Sequence, residues 1–203
     1  MSFKLSHYKD TLLAYKKAGY DIKNSCMNNH AKKDLQLTHD IDFNPSLALK
    51  LAKIENDVSA VSSYFFRLKA TSYNLFSFNT IQVIKELISL GHNVGLHYEQ
   101  THLEVSVEFD VEKATRIMSE MLFMDINFFN IHEPARTGLD ISKILPEKNR
   151  SYNSSFFEGY KYLSDSGGRW REGCFSKHIN KHDKLLVLTH PLWWYENSPI
   201  ENY

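Results

Sequence analysis

Four short stretches carry groups that bind metal ions or move protons: HDID at 39–42, GLHYE at 95–99, NIHEP at 130–134 and LTHP at 188–191. Asp40 and Asp42 have a single residue between them, and two carboxylates that close are costly unless something positive sits beside them. A carboxylate and two neutral imidazoles form a common three-ligand site for a divalent ion, leaving positions for water and substrate. The ion lowers the pKa of its water and polarises a carbonyl. A second carboxylate can then take the water proton, and a histidine can protonate a leaving amine. The sequence contains no nucleophile-elbow serine, phosphate-binding glycine loop or dinucleotide fingerprint, so hydrolysis by activated water is the chemistry that fits. Each residue alone has a plainer reading. Asp42 or Asn44 could cap a helix, His97 and His132 could be ordinary surface or core histidines, and His190 could be a strand end fixed by Pro191. Those readings leave four recurrences at equivalent positions unexplained.

The elements around these stretches supply a way to bring them together. Apolar spacing over 5–18 predicts an opening helix, with Gly19 placed to end it. DLQLTHDID reads as a strand followed by a polar loop, and NPSLALKLAKIENDV as a helix with Pro45 near its first turn. The pattern repeats: VSSYFFRL, HNVGLHYE, INFFNIHEP and KLLVLTHPLWW read as strands, NTIQVIKELISLG and FDVEKATRIMSEML as helices. Such alternation argues for an α/β fold of βαβ units around a parallel sheet; with at least five strands, a barrel or partly closed barrel is preferred over an open sheet. Ligands in such folds bind beyond the carboxyl ends of the strands, where the four stretches would converge. Strand alternation sends Asp40 and Asp42 to one face and His39 to the other, so His39 is read as structural. The least regular segment, 138–153, reads as a loop over the active face.

A chain of 203 residues with 42% hydrophobic content suits one compact core. The expected organisation is a single domain over 1–203, with 1–34 as an N-terminal helix and lead-in. Lys plus Arg and Asp plus Glu both number 24, so no basic field recommends nucleic acid as a partner. Two cysteines, Cys26 and Cys174, are too few for a disulfide framework and are expected as free thiols in a reducing compartment. The N-terminus lacks the apolar region of a secretion signal, and no apolar run approaches the ~20 residues of a membrane span; the expectation is a cytoplasmic protein with no membrane span.

The quoted stretches resemble the polysaccharide deacetylases of carbohydrate esterase family four, the NodB homology fold, and in particular a divergent cytoplasmic branch linked to surface-polysaccharide synthesis. The resemblance runs from about Leu35 to Trp194, with the motifs in the family's order, and implies a distorted, partly closed (β/α) barrel. HDID matches the Asp-x-Asp form of the first motif, which implies Asp40 as general base and Asp42 as metal ligand. LISLGHNVGLHYE resembles the second motif and gives His97 as a ligand, but the position of the family's later histidine is Thr101, a departure. His102 and His132 are the candidates to replace it, and His132, at a strand end, is favoured. NIHEPARTG takes the place of the arginine-containing third motif, with its arginine displaced to Arg136. YLSDSGGRWREG resembles the fourth motif, implying Asp165 as a charged partner of the catalytic groups and Trp170 as a sugar-binding wall; LLVLTHPLWW resembles the fifth, with His190 as general acid. What the resemblance implies is an amide hydrolase with a divalent metal, zinc expected, that removes acetyl or formyl from an N-acylated sugar, such as a nucleotide- or lipid-linked precursor. Tyr98, Trp170 and Trp193 could stack on sugar rings, and Arg136, Arg169 and Arg171 could bind a phosphate or carboxylate. A deacetylase-like protein that only binds sugar, and a hydrolase of non-sugar amides, are the alternatives.

Overall fold

A computed structural model describes residues 3–24, 31–100, 104–139, 144 and 159–203. Thr101, His102, Cys26 and most of the expected loop over 138–153 lie outside the described residues. The elements in chain order are α1 (Leu5–Lys17), β1 (Asp21–Asn24), β2 (Asp34–Ile41), α2 (Ala48–Asp57), β3 (Ser63–Phe66), α3 (Phe78–Ser89), β4 (Asn93–Tyr98), α4 (Val107–Leu122), β5 (Phe129–Ile131), the single turn α5 (Pro134–Thr137), β6 (Lys161–Ser164) and β7 (Lys184–Thr189). The predicted helices and strands are all present. β1 and β6 are additional: each is four residues long and too short to show a period. Local chemistry sets the ends. Gly19 follows α1 at φ +85°, and the hydroxyl oxygens of Ser77 and Ser106 accept backbone N–H bonds at the starts of α3 and α4.

Every strand pair is parallel, in the order β5-β4-β3-β2-β7-β6, and the sheet curls into a half-barrel with helices along its outside. β2 is the hub. One edge pairs β7 over 34–39; the other pairs β1 over 34–37 and then β3 over 38–41. Its eight residues are all buried, but the two faces differ in kind. Leu35, Leu37, His39 and Ile41 face the helices; Asp34, Gln36, Thr38 and Asp40 face the barrel interior. The outer face packs Tyr8, Leu12 and Tyr15 of α1 with Leu35, Leu37, Leu185 and Val187, and α2, α3 and α4 with Ile41, Phe66, Leu96 and Ile131.

One glycine leaves room inside the barrel. Asp40, Phe65 and Gly95 are in register across β2, β3 and β4, so they point the same way into the barrel. A Cβ on Gly95 would lie 2.7 Å from a ring carbon of Phe65 and 2.9 Å from the backbone oxygen of Phe128. The missing side chain is the space in which the Phe65 ring lies across β4. Gly95→Ala is expected to destabilise the protein by about 1–3 kcal/mol, the usual effect of overpacking, because the Phe128 oxygen cannot swing aside; chemical denaturation checks this.

Candidate active site

The carboxyl ends of β2, β4, β5 and β7 deliver Asp40 and Asp42, His97, His132 and His190 to one cleft of about 600 Å³, which Asn130, Tyr162, Trp170, Arg171 and Trp193 also line. β2 carries Asp40, and the chain leaves the sheet just before Asp42, which keeps the inward direction of the even positions. His97 is next to last in β4. His132 directly follows β5 and is tied to β4 by its N–H, which donates to the Tyr98 carbonyl at 2.7 Å. Glu133 then takes a left-handed conformation, φ 48°, uncommon for a residue with a side chain, and turns the chain sharply away from His132.

Asp42, His97 and His132 form the one three-residue group able to hold a metal ion among the described residues. Asp42 Oδ1 is 3.4 Å from His97 Nε2 and 3.3 Å from His132 Nδ1; the two imidazole nitrogens are 3.0 Å apart. A tetrahedral ion with ligands at about 2.0–2.2 Å separates its donors by about 3.3–3.6 Å. The buried Asp42 Oδ1 has no hydrogen-bond partner among the described residues, as expected of an atom oriented toward a cation. The donor set therefore fits a divalent metal.

Charge balance in the cluster points the same way. Burial opposes ionisation of Asp42, but the imidazoles of His132, His97 and His190 beside it outweigh that and hold its carboxyl well below the usual range. Burial likewise disfavours the cationic form of His97, yet Asp40, Asp42 and Asn130 raise its pKa. The carboxylates thus hold a proton where a metal ion would compete for the same lone pairs.

Two further groups flank the trio. Asp40 Oδ2 is 3.6 Å from His97 Nε2, while Asp40 Oδ1 accepts from Asn130 Nδ2 at 2.5 Å. His190 Nε2 is 3.7 Å from Asp42 Oδ2, and His190 Nδ1 donates to Asp165 Oδ1 at 2.7 Å. Asp165 is fully buried and also accepts the His190 backbone N–H and, at 3.0 Å, the indole N–H of Trp194. Burial pushes the His190 pKa down, but the hydrogen bond and charge of Asp165, with Asp40 and Asp42 behind, carry it up to about 9. Asp165 thus lies beneath His190 and does not itself line the cleft.

Not every expected residue reaches the cleft. Tyr98 is buried among the residues under α4, its hydroxyl donating to Asp110 at 2.9 Å; as the neighbour of inward-facing His97 it must face outward, so it offers no stacking surface. Arg136 is exposed at the cleft edge and pairs with Glu133 at 2.6 Å, away from Asp40. Arg169 is exposed and absent from the cleft lining. Trp170 and Trp193 line the cleft, whereas Trp194 is fully buried. His39 faces outward, with Nε2 2.8 Å from Glu55. Asn130 escaped the sequence analysis. The signal was its spacing: two residues before His132 on the same strand, it had to share that residue's face.

No protein-family model matches the chain, and no curated protein matches it. Among solved structures it is similar to a mutant, with restored enzymatic activity, of a CE4 family pseudoenzyme from Bacillus anthracis, with a TM-score of 0.50 and 14% identity over 81% of this chain. This chain spans 58% of that one. It is also similar to the Xyl-CE4 domain of a multidomain xylanase from the hindgut metagenome of Trinervitermes trinervoides, with a TM-score of 0.46 and 15% identity over 78% of this chain and 74% of that one. A third likeness is to a family 4 acetyl xylan esterase from Clostridium thermocellum in complex with a cobalt ion, with a TM-score of 0.47 and 10% identity over 81% and 76%. The first likeness establishes the fold, that of the family four carbohydrate esterases in divergent form. The reaction is a separate matter, argued from the site.

Proposed function

We propose that the protein is a metal-dependent amide hydrolase that removes a small N-acyl group, acetyl or formyl, from a sugar or sugar precursor used in surface-polysaccharide biosynthesis. The observation that carries this reading is a three-donor cluster sized for a metal ion, with Asp40 Oδ2 on one side and the His190 imidazole, held by buried Asp165, on the other. A divalent ion held by Asp42, His97 and His132, zinc by its donor set, would polarise the acyl oxygen and acidify a bound water. Asp40 Oδ2 is the base: its partner oxygen is committed to Asn130, and it faces the trio. His190 is the acid. The hydrogen bond and charge of Asp165 favour its protonated form, and Asp165 holds its Nδ1 so that Nε2 faces the cleft. As the C–N bond breaks, the Nε2 proton passes to the departing nitrogen, leaving a free amine and a carboxylate. Trp170, Trp193 and Tyr162 give the cleft apolar walls for a sugar ring, and Arg171 and Arg136, which also line it, would meet an anionic group on that sugar.

No helix among the described residues is long and apolar enough to cross a membrane. A cytoplasmic role on a nucleotide- or lipid-linked precursor is the proposal that suits this reading. The test is to load the protein with zinc, measure its metal content, and assay acetate and formate release from a panel of N-acylated nucleotide sugars. One bound ion and chelator-sensitive release are expected. Sugar binding without metal or release would instead favour a binding protein built on the hydrolase fold.

A further inference from the structure

We propose that Asn130 is the positioning residue that fixes the base and one metal ligand together, by bridging Asp40 and His97 with the two ends of a single amide. The proposal rests on the hydrolase reading for its catalytic half alone. Asn130 lies opposite His97 in the β4–β5 register and is 4% exposed. Its Nδ2 donates to Asp40 Oδ1, and its Oδ1 accepts from His97 Nδ1, both at 2.5 Å.

The direction of each bond follows from what its groups can do. An ionised carboxylate can only accept, and an amide nitrogen can only donate, so Nδ2 must face Asp40. That leaves Oδ1, an acceptor, toward His97, and obliges the imidazole to carry a proton on Nδ1. The lone pair left for a metal is then on Nε2, the nitrogen that faces Asp42 and His132. The same amide immobilises Asp40 Oδ1 and leaves Oδ2 toward the trio. β5 and β2 are separated by two strands, so this bridge exists through the curl of the sheet, and it ties the two ends of the metal cluster across the barrel. Arg136, the displaced arginine of the third motif, pairs with Glu133 rather than with Asp40. Asp40 is thus held by a neutral group that orients it without adding positive charge.

Two substitutions separate the halves of the bridge. Asn130→Asp is isosteric and keeps an acceptor for His97 Nδ1–H but sets a second carboxylate against Asp40 in place of the neutral amide donor; Asn130→Ala removes both acceptor and donor. Outer partners of metal-bound histidines typically contribute about 10–100-fold in affinity or activity. Asn130→Ala is therefore expected to weaken zinc binding about 10–100-fold in chelator competition, and Asn130→Asp to bind zinc about as tightly as wild type. Both should lower kcat with little change in KM. A third readout needs neither metal nor turnover: nitrogen-15 NMR of the metal-free protein should show a slowly exchanging His97 Nδ1 proton in wild type and Asn130→Asp, absent in Asn130→Ala. If wild type lacks that proton, the proposal is overturned whatever the protein catalyses. If the proton and its pattern are present but no N-acyl sugar is turned over, the hydrolase reading has failed and the bridge stands. Equal zinc affinity in wild type and Asn130→Ala would overturn the metal-positioning half.

Discussion

Asp40→Asn is expected to lower kcat by about 10²–10⁴-fold, the range for loss of a general base, while zinc content stays at one ion per chain. Asp40 lies outside the Asp42, His97 and His132 group, so its charge is not needed to ligate the ion. An asparagine there keeps the shape and the Oδ1 acceptor for Asn130, and places an amide nitrogen, unable to take a proton, where Oδ2 faces the trio. Steady-state release of acetate or formate, with metal analysis of the same sample, is the measurement. Unchanged kcat would remove Asp40 as the base; loss of zinc would place it among the ligands. The acid side of the mechanism has its own signature. With His190 as the proposed acid, kcat should fall as pH rises toward the imidazole's value of about 9, and a bound cation would move that limb to lower pH by opposing the imidazolium charge.

The second large effect concerns stability and lies behind the sheet. Glu55 of α2 is fully buried and accepts from the hydroxyls of Tyr8 at 2.5 Å, Ser62 at 2.6 Å and Tyr64 at 2.8 Å, with His39 Nε2 at 2.8 Å. Removing one partner from a buried charged network strands the others, and Glu55→Ala is expected to destabilise the protein by about 3–5 kcal/mol, read from the denaturant midpoint. Burial raises the Glu55 pKa, but His39, His92 and Ser62 more than offset it and hold the carboxyl at about 2, below its ordinary 4.5. Its contribution is therefore complete above about pH 4.5 and is lost as the pH falls from there through about 2. Glu55→Gln should flatten the pH dependence across that window and, with an amide nitrogen set among donors, remain less stable than wild type at neutral pH.

The positions of the candidate site were legible because parallel strands bring their carboxyl ends together, so the recurrence of His and Asp at four strand ends in the sequence translates into one cleft. Alternation carried further still: it separated Asp40 and Asp42 from His39. Applied consistently, the same rule would have turned Tyr98 away from the cleft next to His97 and drawn Asn130 into it beside His132. Asn130 was passed over because an amide neither titrates nor binds zinc in the usual sets; its part is visible only when the curl of the sheet brings β5 over β2. Arg136 illustrates the opposite limit. The resemblance offers it as a group for an anionic substrate, but the left-handed Glu133 turns the chain and supplies a carboxylate that the arginine pairs with. Nothing in the local pattern marked Glu55, a charged residue on an amphipathic helix, as the centre of a buried network.

The two faces of β2 also guard the way the strand is threaded. Sliding it by one residue against its neighbours would exchange every side chain between faces, carrying His39 into the cleft and setting Asp40 beside the ionised, solvent-free Glu55. Two buried carboxylates would then confront each other without the His39 imidazole between them. The histidine and aspartate at 39 and 40 thus act as a pair of keys cut for opposite locks, and the misthreaded chain is rejected by charge before any question of catalysis arises.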